Sequence, residues 1–169
     1  RIRVGLFDTA ARAIVGTTRD DRVRETLAGV YGQTSVELMP ALRAVLGLRA
    51  DQVHNRVDSL ATPANSGSAR DSLASPKLSL VAGPFAKTEV FFNAGRGFHS
   101  NDARGTTDAA APTPPLVGAT GVELGARTEA IAGLQSSIAL WTLKSNSELV
   151  YIGDAGNTEA SAASKRRGV

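Results

Sequence analysis

The stretch TEVFFNAGRGFHSNDARG, Thr88 to Gly105, starts as a strand and ends as a polar tip. Val90, Phe92 and Ala94 fall on one side of an extended chain, and Glu89, Phe91, Asn93 and Gly95 fall on the other. One side is oily and the other is mixed. Beyond Gly97 the apolar pattern gives way to His99, Ser100, Asn101, Asp102 and Arg104. Such a segment needs one greasy neighbour, one wet neighbour and an exit beyond both.

Working outward, the same period of two recurs on either side. In RETLAGVYGQTSVEL, the even positions Ala28, Val30, Gly32, Thr34, Val36 and Leu38 oppose Glu25, Gln33, Ser35 and Glu37. In ALRAVLGLRAD, Leu42, Leu46 and Leu48 oppose Arg43, Arg49 and Asp51, and SPKLSLVAG sets Leu78 and Leu80 against Lys77 and Ser79. TGVELGARTE sets Val122 and Leu124 against Glu123 and Arg127, and LQSSIALWTLK sets Leu134, Ile138 and Leu140 against Gln135, Ser137 and Trp141. With the opening RIRVGLF and the closing KRRGV, the pattern predicts about eight strands.

Short connections at Pro40, at GPFAK and at Gly133 alternate with long polar ones starting at Asn55, His99 and Asp154. That two-ended asymmetry predicts an all-β fold, an antiparallel up-and-down β-barrel in an outer membrane, with short turns on one side and long loops on the other. The barrel is expected either as a segment of a transmembrane barrel or as a small closed one, with residues 1–169 as one unit. No run approaches the roughly 20 apolar residues of a membrane-spanning helix. The 169 residues hold no cysteine, which excludes disulfides and thiolate chemistry, and a 5% aromatic content makes for an interior of small side chains. A net charge of +3 comes from basic residues scattered among 16 acidic ones, so nucleic acid is not an expected partner.

SPKLSLVAGPFAKTEVFFNAGRGFHSNDARG, followed by ATGVELGARTEAIAGLQSSIALWTLKSNSELVYIGDAG, resembles the middle of the barrel of a TonB-dependent outer-membrane receptor. RVRETLAGVYGQTSVEL and LRAVLGLRAD resemble the strand pairs that precede that region. The resemblance implies a receptor for a scarce nutrient such as a ferric chelate. It implies a barrel of about 22 strands in outer-membrane lipid, a plug domain and an inner-membrane energy-coupling protein as partners, and no cofactor. The chain shows neither a plug nor that many strands, and it is poor in the Tyr and Trp of interfacial girdles. It is therefore expected to be a fragment that does not transport alone.

His99, Asn101, Asp102 and Arg104 are the candidate ligand-binding residues, on a loop expected to reach outside the membrane. His99 with Asp102 and Asp108 has the donor types of a metal site, but Asn, Asp and Gly in a solvated loop are ordinarily turn formers, and no metal is expected. His99, Ser100 and Asp102 spell the letters of a hydrolase triad, yet neighbours on an extended chain point apart, so no catalytic residue is expected. Pro112, Pro114 and Pro115 are expected to stiffen the return to a strand starting near Thr120. The competing reading is a stand-alone small β-barrel or sandwich acting as a binding module or a metal-assisted hydrolase.

Overall fold

The computed structural model describes residues 1–152 and 157–169. Eight strands form one antiparallel sheet in the order β1-β2-β3-β4-β5-β6-β7-β10. They are β1 (Ile2–Ala10), β2 (Ala13–Met39), β3 (Leu42–Ser59), β4 (Gly67–Phe85), β5 (Thr88–Ser100), β6 (Leu116–Thr128), β7 (Ser136–Ser145) and β10 (Ser164–Gly168). The strands β8 (Leu149–Ile152) and β9 (Asn157–Ala160) pair separately in the connection from β7 to β10. Sequence-adjacent strands are neighbours throughout, as an up-and-down wall requires, and β1 and β10 are its edges. The sheet does not close, so among the described residues the small closed barrel is not what forms.

The register sorts the side chains as the alternation predicts. Val90 faces Ala126, Phe92 faces Leu124 and Ala94 faces Val122. Leu124 faces Leu140 and Ala126 faces Ile138. Because directly opposed residues share a face, these form one apolar band, and Leu46, Leu48, Val90, Leu124, Ile138 and Leu140 on it are exposed. That band is the side the sequence predicts to face lipid. On the other side Glu89 opposes Arg127 and accepts from its Nε at 2.6 Å. Arg49 grips Asp51 through two hydrogen bonds of 2.7 Å. Phe91 opposes Gly125 on the same inward face. A Cβ at Gly125 would come within 2.6 Å of the Ile138 carbonyl oxygen, and the Phe91 ring covers the space instead.

Four sequence expectations are corrected. The connection expected over Asn55–Ser72 is mostly strand, since β3 runs to Ser59 and β4 starts at Gly67, with a single 3₁₀ turn at Pro63–Asn65 between them. Arg56 and Asp58 give this stretch its loop-like polarity, but Val53, Asn55 and Val57 alternate with them and are fully buried. β6 begins at Leu116, four residues ahead of Thr120, because Leu116 and Val117 pack in the core above the sheet. Gln135 lies outside β7, in the turn before Ser136. A very short connection also joins β1 to β2 at the end where the long ones lie. Ala11 and Arg12 make it with φ of 50° and 67°, a left-handed pair with no Asn-Gly to announce it. Of the connection expected from Asp154, residues 154–156 lie outside the described residues.

β4 and β5 are joined the same way, by Ala86 and Lys87 at φ of 47° and 62°. Holding two side-chain-bearing residues there costs about 1–2 kcal/mol each. Replacing Ala86-Lys87 by Asn-Gly is expected to raise the unfolding free energy in detergent by about 1–2 kcal/mol, read from urea titration. A lower value would contradict this turn. Single cysteines at Glu89 and Glu123 are expected to react with a membrane-impermeant thiol reagent much faster than cysteines at Phe92 and Leu124. Equal rates would contradict the two-faced wall.

Candidate functional site

The ladder between β4 and β5 ends at the Lys77–Gly95 pair, and the next residue of β4, Pro76, brings no N–H to extend it. β5 goes on to Ser100 paired with β6 alone. The segment after it folds back over the upper inward face of β3. There Ala103 and Thr106 of the one-turn helix α1 (Ala103–Thr106) are buried, as are Val53, Asn55 and Val57 beneath.

Asn101 is 3% exposed and holds the return strand, its backbone N–H donating to the Pro115 carbonyl and its side chain to the Pro114 carbonyl at 2.7 Å. Asp102 caps α1 by accepting from the Arg104 N–H at 2.9 Å and grips the same residue's guanidinium at 2.5 Å. Burial pushes the Asp102 carboxyl up, but the bonds from Arg104 outweigh it and hold the group below its ordinary range. Asn55 donates to Thr106 at 3.4 Å, and Thr106 donates to the Ala103 carbonyl. Asn55 Oδ1, Asn101 Oδ1 and Thr107 Oγ1 are buried without a hydrogen-bond partner among the described residues.

A cleft of about 330 Å³ opens between this segment and the inward face of β1 and β2, lined by Ile2, Val4, Val23, Glu25 and Ser100 to Arg104. Three of the four candidate residues, Asn101, Asp102 and Arg104, therefore meet at one place. His99 does not line it. It lies on the inward face of β5 opposite Val117, within the field of Glu148. Asp102 is engaged by Arg104, so His99, Ser100 and Asp102 do not form a relay.

A second inward hollow, of about 430 Å³, is lined by Lys77, Asn93, Glu123, Trp141 and glycines. Gly47, Lys77, Gly95 and Gly121 are aligned across β3, β4, β5 and β6, so the Lys77 side chain has no Cβ on either flank. Sequence reasoning missed Lys77 and Trp141 here, because only the register reveals that glycines from three strands fall in one row. A third hollow, of about 830 Å³, is lined chiefly by Leu46, Leu48, Pro76, Leu78 and Ala94 and belongs to the outward apolar side.

The family model for the β-barrel of TonB-dependent-receptor-like proteins matches residues 3–169. Among solved structures, the alcaligin outer-membrane receptor FauA from Bordetella pertussis is similar over 88% of this chain, with a TM-score of 0.63 and 19% identity. The chain spans 27% of that structure's length. No curated protein matches.

The Asp102 cap and ion pair contribute about 1 kcal/mol to local order. Asp102→Ala is expected to speed amide exchange across residues 103–107 about fivefold at neutral pH. Because the folded carboxyl titrates below its ordinary value, the contribution is complete above the carboxylate range and disappears as acid protonates Asp102. The difference from the wild type, corrected for intrinsic exchange, should therefore vanish on acidification. Equal protection at neutral pH would contradict the cap.

Proposed function

We propose a function on one premise: the chain belongs to the family of TonB-dependent-receptor-like β-barrels. Its eight-stranded sheet is an outer-membrane wall, apolar toward lipid and polar toward the barrel interior. From that placement, the chain serves the uptake of a scarce nutrient, a ferric chelate being the preferred class. It acts as a sector of a larger barrel, and all 169 residues work as one unit. The supporting observation is the connection 101–115, which turns back into the wet side. A transport barrel needs its loops over the lumen, where an entering solute meets them.

In this reading Asn101, Asp102 and Arg104 hold the shape of the lumenal cleft, and Glu25 and the Arg104 guanidinium offer charge to a solute. His99 contributes from the neighbouring inward face. The lower hollow with Lys77, Glu123 and Trp141 faces a plug domain, and energy arrives through an inner-membrane coupling protein acting on that plug. The chain carries no catalytic step of its own. The unpaired edges β1 and β10 favour a sector over a stand-alone module, because an exposed ladder invites further strands.

Deleting the gene from an iron-starved cell is expected to abolish energy-dependent uptake of at least one labelled ferric chelate. Plasmid-borne protein should restore it, and a protonophore should stop it. Arg104→Ala is expected to weaken uptake by about ten- to a hundredfold while the protein still reaches the outer membrane, since a charge-assisted contact contributes about 1.5–3 kcal/mol. Unchanged uptake across a panel of chelates after deletion would refute the proposal.

A further inference from the structure

The inward hollow of about 430 Å³ holds the chain's one tryptophan and two opposite charges that do not meet. Lys77, Asn93 and Glu123 line it, and their side chains make no ion pair or hydrogen bond among the described residues. A little farther along the same face Glu89 opposes Arg127 directly and pairs with it. Lys77 and Glu123 are held apart instead. Gly95 and Gly121 lie level with Lys77 on β5 and β6, and Glu123 is two residues farther along β6. Two strand spacings of about 4.8 Å across and two residues along the strand put their Cα atoms roughly 12 Å apart.

The register keeps that gap open. Neither glycine puts a side chain between the two charges, and a Cβ at Gly97, next on the same face of β5, would meet nothing within 4 Å. Glycine inside a strand suits a place where a ligand or a second backbone comes close. Trp141 stands opposite Glu123 on β7, and its ring lies over Gly168, which fixes its orientation and leaves the residue 40% exposed.

An occupant of this hollow has to bring a cation to Glu123, a carboxylate to Lys77 and, between them, a group that can both donate to and accept from the Asn93 amide. A simple anion would leave Glu123 unmatched. A short peptide with free ends meets all three demands, because a dipeptide extends about 7 Å and the Lys77 and Glu123 side chains reach in from either end. Its own side chain then has the Trp141 ring to lie against.

We propose that the hollow is a binding site for a short zwitterionic peptide, held with its carboxylate on Lys77, its ammonium on Glu123 and its amide on Asn93. The site is separate from the cleft at Asn101, Asp102 and Arg104. It rests on the transport reading only for its place on the lumenal side.

The full chain in a non-ionic detergent at neutral pH is titrated with alanylalanine, with its N-acetyl form and with its C-terminal amide. Emission from Trp141, the single tryptophan, reports the hollow directly. Alanylalanine is expected to shift that emission saturably, and each blocked peptide to bind about tenfold more weakly, since each lacks one charge-assisted contact. Lys77→Met should remove the preference for the free peptide over the amide and keep the preference over the N-acetyl form. Glu123→Gln should do the reverse, a separation that a merely structural role would not produce. If Lys77→Met fails to fold, as judged by circular dichroism, Lys77→Gln takes its place with the same expectation. No saturable shift with alanylalanine, equal affinity for the three peptides, or preferences that survive both substitutions would overturn the proposal. Uptake is not read in these titrations, so their failure leaves the transport proposal standing.

Discussion

In hydrocarbon a backbone N–H or C=O left unpaired costs several kcal/mol, and no water is there to take it up. That one constraint organises the molecule. The chain satisfies it with continuous antiparallel ladders, most fully between β2 and β3, where pairing runs from Asp21 opposite Ser59 down to Met39 opposite Leu42. Once the ladder is obligatory, each side chain is committed to lipid or to the lumen by its parity alone. Gly125 illustrates how tight that commitment is, since the Phe91 ring occupies the space its missing side chain leaves. Trp141 covers Gly168 in the same manner on the edge pair β7 and β10.

The constraint relaxes outside the bilayer, and there the structure departs from regularity. Above the Lys77–Gly95 pair, β5 leaves β4 and the backbone groups of the following segment must be satisfied in other ways. Side chains do it: Asn101 ties the loop to the return strand through Pro114 and Pro115, and Asp102 caps α1. The polar residues that look like a ligand set in the sequence are therefore first the hydrogen-bonding partners of their own loop. Buried Val53 and Val57 supply the apolar floor that keeps it folded inward.

What was legible in the sequence follows the same division. Within the bilayer the period of two is enforced by physics, so Val90, Phe92, Leu124 and Ile138 announced their shared face, and Glu89 and Arg127 the opposite one. Beyond it, strands are half buried by a loop that no local pattern encodes. Residues 55–59 looked like loop because Arg56 and Asp58 point outward, while the burial of Asn55 and Val57 depends on a segment some 50 residues later. The tight turn at Ala11 and Arg12 was invisible for another reason: it uses left-handed residues without the glycine or asparagine that usually mark them. The candidate residues were found because their polarity is local, but their division into a cleft with Asn101, Asp102 and Arg104 and a separate wall position at His99 needed the register.

Parity also sorts charge. Two inward acids are neutralised within the protein, Asp51 by Arg49 and Glu89 by Arg127. They can be, because both signs occur on that face. Outward, Arg24 opposes Arg56 and Lys144 opposes Lys165 with only Asp20 and Asp58 to offset them. A repulsive arrangement is thus repeated at two separated ladders, on the side away from the lumen and not on the side toward it. The wall then uses one alternation for two separations, apolar from polar across the sheet and mixed inward charge from mainly cationic outward charge.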